Sequence, residues 1–383
     1  MSLGASSAAI STEAHPFTAA PARLDPADPG VWRDDPASRA GVPVARAGML
    51  ALLPSLVLGV VMLAIMFVVS AEYDLPVRDA DGILGSRLAL LIGTIAAFVA
   101  LDVLPRAGRR AGWRLDGVLA AIRGIARERW SLRRLAIVVL GIVAFYMTYL
   151  AYRNLKSFLP LITPQDLDAN LLRWEQDALG GTHPFDILHT LLGTGAAAQV
   201  LSWVYLFFLA FVPISLGASL IASINPLPGL WWVLTLGVNW TLGTLSYYVL
   251  PTMGPFYLAP ELFSALPETG VSRLQNALWV ERLQVLADPT ATNAVQSIAG
   301  FASLHASITF SAALIATLLG LHRILRIALW VMFGLTMLAT VYFGWHYVLD
   351  DVAGLAIGGF AVWISALLTG NRAALRRRKE LPA

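Results

Sequence analysis

The sequence predicts an all-α, polytopic membrane bundle of about eight transmembrane helices, and three observations lead there. The 383 residues are 57% hydrophobic and only 13% charged, against the ~25% charged residues usual in soluble domains. Several runs approach or exceed the ~20 apolar residues a helix needs to cross a bilayer. Arginines gather in the stretches between those runs, and counting spans places three such clusters on one side. The absence of cysteine excludes disulfides, cysteine-zinc sites and thiol nucleophiles. A formal charge of +3 is too small to suggest a nucleic-acid partner.

Taken in order, residues 1–45 hold Pro16, Pro21, Pro26, Pro29, Pro36 and Pro43 among alanines, serines and a few charges. No apolar core precedes a cleavage-like site, so this segment reads as a disordered cytoplasmic tail. Spans are expected at 47–70, 86–104, 135–152, 196–222, 230–250, 302–321, 327–345 and 347–369. Residues 46–134 then hold two leading helices and a basic loop, 135–370 a six-helix core, and 371–383 a basic cytoplasmic tail. The loop 105–134 carries Arg106, Arg109, Arg110, Arg114, Arg123, Arg127, Arg129, Arg133 and Arg134 against Asp116 and Glu128. The turn with Arg323 and Arg326 and the Arg376-Arg377-Arg378-Lys379 run fall on the same side, which the positive-inside rule makes cytoplasmic. Segments 71–85, 153–195 and 251–301 are net acidic and are expected to face outward. Lysine occurs only at Lys156 and Lys379, a bias of GC-rich coding that bounds nothing mechanistic, and the expected location is a bacterial plasma membrane. Leu115–Trp130 is expected as an amphipathic interfacial helix with its arginines toward anionic headgroups. Gly193, Gly195, Gly358 and Gly359 read as helix-packing surfaces.

The polar residues of the last three spans are few and grouped. His305 opens the sixth span at its outer end, and His346 and Asp350 stand where the eighth begins. Ionisable groups in such runs are costly and are functional suspects by default. The two limbs from His305 and from His346 to the cytoplasmic turn are about 17 and about 20 residues, so at ~1.5 Å per residue the imidazoles reach matching depths. Gly344 marks a break, and His346 and Asp350 lie four apart on one helix face. The carboxylate can then fix one imidazole nitrogen and leave the other free as a nucleophile. Helix N-termini beside both histidines aim backbone N–H groups outward, which suits an anionic phosphate, and His305 can protonate a departing oxygen.

Ser303-Leu304-His305 and His346-Tyr347-Val348-Leu349-Asp350, in a Gly-Trp-His-Tyr-x-x-Asp-Asp-x-x-Gly context, resemble the second and third signature motifs of the type 2 phosphatidic acid phosphatase superfamily. The resemblance covers roughly 240–360. It implies a six-helix catalytic core, no metal or other cofactor, and a phosphohistidine intermediate, with His346 as nucleophile, Asp350 as its orienting carboxylate and His305 as acid. Three basic residues of the phosphatase pattern are missing. The Lys-x6-Arg-Pro window falls on Tyr247 to Gly254-Pro255, and the arginine six residues before the nucleophile is Thr340. The Tyr-Tyr-Val-Leu-Pro-Thr-Met-Gly-Pro-Phe-Tyr stretch at 247–257 looks like the divergent branch that includes inositol phosphorylceramide synthases, which move a phospho-head-group between lipid and alcohol. The partners implied are a phosphate-bearing membrane lipid and an alcohol or polyol acceptor, the alternative being a plain lipid or polyprenyl phosphate phosphatase that uses water.

A phosphate still needs positive charge. Of the outward-facing Arg78, Arg153, Lys156, Arg173, Arg273 and Arg282, the pair Arg153 and Lys156 just past the third span stands where basic residues are disfavoured. They are expected at the phosphate, with Tyr247 and Ser303; the alternative is that they snorkel to headgroups. His183, Asp186 and His189 read as surface polar groups rather than metal ligands, and His322 as a headgroup-facing residue. Trp203, Trp231, Trp232, Trp240 and Trp330 read as an aromatic belt, and Trp345 as part of a lipid entrance. A transporter or flippase-like scaffold is the competing class, disfavoured because spans four to seven carry almost no mid-span charge.

Overall fold

The computed structural model describes residues 44–79, 88–163, 166–222 and 225–376. Among them the chain is all-helical, without a strand. The helices are α1 (Val44–Glu72), α2 (Leu88–Arg110), α3 (Leu115–Arg129), α4 (Leu132–Ile162), α5 (Asp168–Ala178), α6 (Pro184–Leu192), α7 (Ala196–Ala222) and α8 (Leu227–Val249). There follow α9 (Pro255–Leu258), a 3₁₀ turn (Pro260–Phe263), α10 (Gly270–Ala287), α11 (Leu304–Leu318), α12 (Arg323–Tyr342), α13 (Val348–Leu368) and α14 (Arg372–Arg376). The expected N-terminal tail lies outside the described residues up to 43, and the end of the basic C-terminal tail from 377 onward. Each of the eight predicted spans contains a helix. Among the described residues five helices are long and apolar enough to cross a membrane, over Ala47–Glu72, Leu132–Ile162, Ala196–Ile221, Arg323–Tyr342 and Val348–Leu368. They fit an integral membrane protein. The 15-residue α11 is shorter than a bilayer crossing.

The bundle is organised about α8, which packs against α1, α4, α7, α11 and α13. A helix apolar on every side belongs in a core, and Leu230, Trp231, Val233, Leu234 and Leu236 are buried all round it. The Trp231 indole N–H donates to the Val362 carbonyl at 2.9 Å and that of Trp232 to Ser215 Oγ at 3.1 Å, binding α8 to α13 and α7. Trp240 packs among Phe145, Tyr149 and Tyr152 of α4. These three tryptophans are therefore core anchors, not members of an interfacial belt: each ring is buried and two of the three donate inside the bundle. Asn239 reaches from α8 to Ser307 and Ser311 of α11.

Helices α11 and α13 approach backbone to backbone. A Cβ on Gly354 would lie 2.4 Å from the Ser303 carbonyl oxygen, and one on Gly358 2.6 Å from that of Ser307. The packing role expected of Gly358 holds. Gly193 and Gly195 do not share it: a Cβ on either meets nothing within 4 Å, and Gly193 (φ +76°) is the turn that ends α6.

The basic loop forms the amphipathic α3, folded back on α2. Not all its arginines are free for headgroups. Arg129 forks onto the buried Asp102 carboxylate at 2.9 and 3.0 Å, the Trp130 indole donates to the same group, and Arg134 donates to the Ile221 carbonyl at 2.9 Å.

Candidate active site

The site begins with the length of α4. Its 31 residues make a rod of about 46 Å, longer than the ~30 Å apolar slab. The helix predicted to stop at 152 thus continues to Ile162 and carries Arg153 and Lys156 with it. Pro160 has no N–H to offer the Lys156 carbonyl four residues back. The Gln296 side chain donates to that carbonyl instead, at 2.8 Å, and Ser157 Oγ accepts from the Gln296 N–H at 3.2 Å. The segment before α11 is thereby fixed to the turn of α4 that bears Lys156.

From there residues 300–303 are laced into the end of the bundle. Gly300 N–H donates to the Thr252 carbonyl at 2.7 Å, Phe301 N–H to Thr252 Oγ1 at 2.8 Å, and Ala302 N–H to Ser246 Oγ at 2.9 Å. Ser303 N–H donates to the Asp350 backbone carbonyl at 3.0 Å, joining the N-termini of α11 and α13 directly. Ser303 Oγ caps α11 by accepting from Ala306 N–H. Ser303 is fully buried and its side chain also meets the Asp351 carboxyl. It positions the helix ends beside the histidine pair.

These bonds bring the two imidazoles together, with ring centroids 5.6 Å apart. His305 is held between Tyr205 and Phe208 of α7, at 4.6 and 4.4 Å. His346 follows Gly344, whose φ of +64° turns the chain between α12 and α13 and whose missing side chain admits the Phe263 ring. Its Nδ1 lies 3.3 Å from Asp350 Oδ2, an oxygen that also accepts from Tyr347 N–H at 3.1 Å. With a proton on Nδ1 facing that carboxylate, Nε2 carries the free lone pair. Burial pushes the His346 imidazole down to about 4, the Asp351 carboxylate opposing and the Lys156 ammonium adding to the effect. The ring is neutral at pH 7, as a nucleophile must be.

Lys156 reaches the same place. Its Nζ stands 5.0 Å from the Tyr247 ring centroid, 5.7 Å from that of Tyr152 and 3.4 Å from the Tyr152 hydroxyl. It lies within electrostatic reach of both imidazoles. Tyr247 occupies the lysine position of the phosphatase pattern, so the ammonium from α4 sits over the residue that replaced the usual one. Arg153, one turn earlier, faces Glu281 of α10, and its buried Nε has no hydrogen-bond partner.

The other two basic positions are closed. A Cβ on Gly254 (φ +104°) would lie 2.3 Å from the Trp345 carbonyl oxygen, so the residue is backbone packed on backbone. The amides of Met253 and Gly254 donate to the buried Asp168 carboxyl at 2.6 and 2.8 Å. Thr340 is fully buried with its hydroxyl 2.8 Å from Asp351 Oδ2.

Several site residues carried no signal in the sequence: Asp168, Gln296, Thr252, Ser246, Tyr205 and Phe208 are ordinary outer-segment or span residues until the fold converges them. Asp351 was legible only as the second carboxylate of the Asp-Asp pair. Two histidines read as surface groups are not so. His189 Nε2 lies 2.8 Å from the Tyr342 carbonyl, and His183 is buried against Phe185 at 4.9 Å. His322 Nδ1 caps α12 by accepting from Ile324 N–H. Among the described residues no cluster of three His, Asp or Glu could hold a metal ion. An apolar groove of about 630 Å³, with Leu171, Trp174, Leu188, Val341, Leu349 and Asp351 in its wall, opens beside the cluster.

Comparison with known proteins adds one family. A model described as PAP2 superfamily matches residues 169–364, just over half of the chain. Neither a curated protein nor a solved structure matches. The matched range runs from α5 into α13, spans both histidines and Asp350, and starts after α4. An all-helical bundle with paired imidazoles at the joined ends of α11 and α13 agrees with that match. The chain belongs to the PAP2 superfamily, a membership that supports phosphatase-type chemistry in general.

Proposed function

We propose that the protein is an integral-membrane enzyme that cleaves a lipid phosphoester through a phosphohistidine, on the outer face of a bacterial plasma membrane. The observation that carries the reading is the pair of imidazoles 5.6 Å apart, one of them backed by Asp350 at 3.3 Å. His346 Nε2 attacks phosphorus and the P–O bond to the leaving group breaks. The departing oxygen takes a proton from His305, which must be protonated for that step. Water or an alcohol then attacks the phosphohistidine, gives its proton to His305 and frees His346. Asp350 holds the reactive tautomer, and Lys156 neutralises charge that builds on the phosphoryl oxygens.

A lipid substrate fits the apolar groove beside Asp351. Transfer to an alcohol acceptor, in the manner of the inositol phosphorylceramide synthase branch, is favoured over hydrolysis by the loss of all three basic positions at Tyr247, Gly254 and Thr340. The orientation rests on the arginines of the α2–α4 region and of the α11–α12 turn, which put both termini in the cytoplasm. Purified protein incubated with labelled phospholipids, with and without inositol and lipid alcohols, tests the reading. Label should pass to an acceptor in wild type and to nothing in His346→Ala. Turnover that survives His346→Ala refutes it, and wild type that moves no label at all leaves the transporter or scaffold class standing.

A further inference from the structure

The phosphatase pattern uses two cations in the 247–255 window, and α4 supplies only one. The second cannot come from Gly254, where no side chain has room beside the Trp345 carbonyl. Helix α10 lies across this end of the bundle and is pinned there along one stripe. Gln275 Nε2 donates to the Phe343 carbonyl at 2.8 Å, three residues before His346. The Tyr257 hydroxyl donates to the Gln275 carbonyl at 3.3 Å, and the Tyr257 ring stacks on Trp279 at 5.6 Å. Residues 275, 279 and 282 fall at i, i+4 and i+7, on one helix face. Arg282 therefore projects from the face that covers Tyr257, whose ring is 6.0 Å from that of Trp345.

Arg282 makes no close ion pair. Among the described residues no carboxylate lies within 4.0 Å of its guanidinium or of the Lys156 ammonium. Of the other outward cations, Arg78 donates to the Pro289 carbonyl, Arg173 to its own helix and Arg273 pairs with Glu268, while Arg153 faces Glu281 with a buried Nε that has no hydrogen-bond partner. The charged and titratable groups facing Arg282 are Asp166, Asp168 and the Tyr257 phenol. Asp168 already accepts two backbone N–H groups and the N–H of Asp168 is held by Asp166. Half-burial of a guanidinium without a matched partner is unfavourable unless something anionic completes it.

We propose that Arg282 is a phosphate-binding residue: α10 is a strap that lowers a guanidinium onto the phosphoryl oxygens, opposite Lys156, in place of the arginine the 254 position cannot carry. The proposal rests on the reading of the histidine pair as a phosphoryl-transfer site. A planar fork on α10 and a point charge on α4 together clasp one phosphate monoester or diester group.

Orthovanadate is the probe, titrated against the full chain in detergent micelles. Arg282→Gln should weaken vanadate binding about tenfold to a hundredfold, Arg282→Lys by less, and Asp166→Asn not at all, with unliganded melting temperatures unchanged. In wild type, vanadate should protect Arg282 from phenylglyoxal while the exposed Arg273 stays reactive, a readout that needs no variant to fold. Unprotected Arg282, or vanadate affinity in Arg282→Gln equal to wild type, overturns the proposal while leaving the histidine site intact. No vanadate binding by wild type overturns the phosphate-site reading itself.

Discussion

Replacing Lys156 by methionine removes one charge and keeps most of the stem that lies along Tyr152 and Tyr247. The ammonium stands 5.0 Å from the Tyr247 ring and within reach of both imidazoles. For a phosphoryl charge ~6 Å from Nζ, an effective dielectric of ~20 gives roughly 3 kcal/mol, or about a hundredfold in rate. The loss to folding is smaller, about 0.5–1 kcal/mol for a partly exposed cation over a ring. The assay is kcat/KM on whichever labelled phospholipid wild type turns over, alongside the thermal midpoint. Lys156→Met should fall about a hundredfold in kcat/KM with a nearly unchanged midpoint, and Lys156→Arg should regain most of the rate. A Lys156→Met enzyme within threefold of wild type would show that this ammonium merely snorkels, and would remove the α4 extension from the site.

Three other perturbations have defined outcomes. His305→Ala should cost about 10²–10⁴ in rate on an alkyl phosphoester and much less on an aryl one, whose leaving group needs no proton; equal losses on both would end the assignment of His305 as the acid. Because burial holds His346 at about 4 against its ordinary 6.5, the unfolded chain takes up a proton between those values that the folded chain refuses. The stability tied to neutral His346 is therefore lost as pH falls from 6.5 to about 4; a melting temperature that His346→Gln leaves equally pH-dependent across this window would contradict the shift. Gly254→Ala places a Cβ 2.3 Å from the Trp345 carbonyl at a φ of +104° and should cost about 1–3 kcal/mol or more; a midpoint within a degree of wild type would mean the 254–256 loop is not clamped to the turn before His346.

Much of the bundle could be read before any coordinates, because apolar runs and arginine placement are local signals. The imidazole pairing was legible for a related reason: two nearly rigid limbs joined by a short turn return to the same height, so residue counting alone sets His305 opposite His346. What stayed hidden depends on contacts distant in the chain. The helix through Lys156 extends to Ile162 because Gln296, 140 positions away, takes the carbonyl that Pro160 leaves free. Nothing local distinguishes Trp231, a buried donor to Val362, from a tryptophan at the membrane surface. Likewise nothing local shows that the Ser303 hydroxyl caps α11 and meets Asp351 inside the protein. Arg282 needed the fold most of all, since its face of α10 is known only once Gln275 and Trp279 are seen to dock on Phe343 and Tyr257.

The most direct test is to quench the enzyme in base during turnover of a phosphorus-labelled lipid and map the label by mass spectrometry. Label on the imidazole of His346, acid-labile and absent from His346→Ala, is the expected result. A fully active enzyme whose label is never found on His346, or is found on another residue, would contradict phosphohistidine chemistry at this pair of rings.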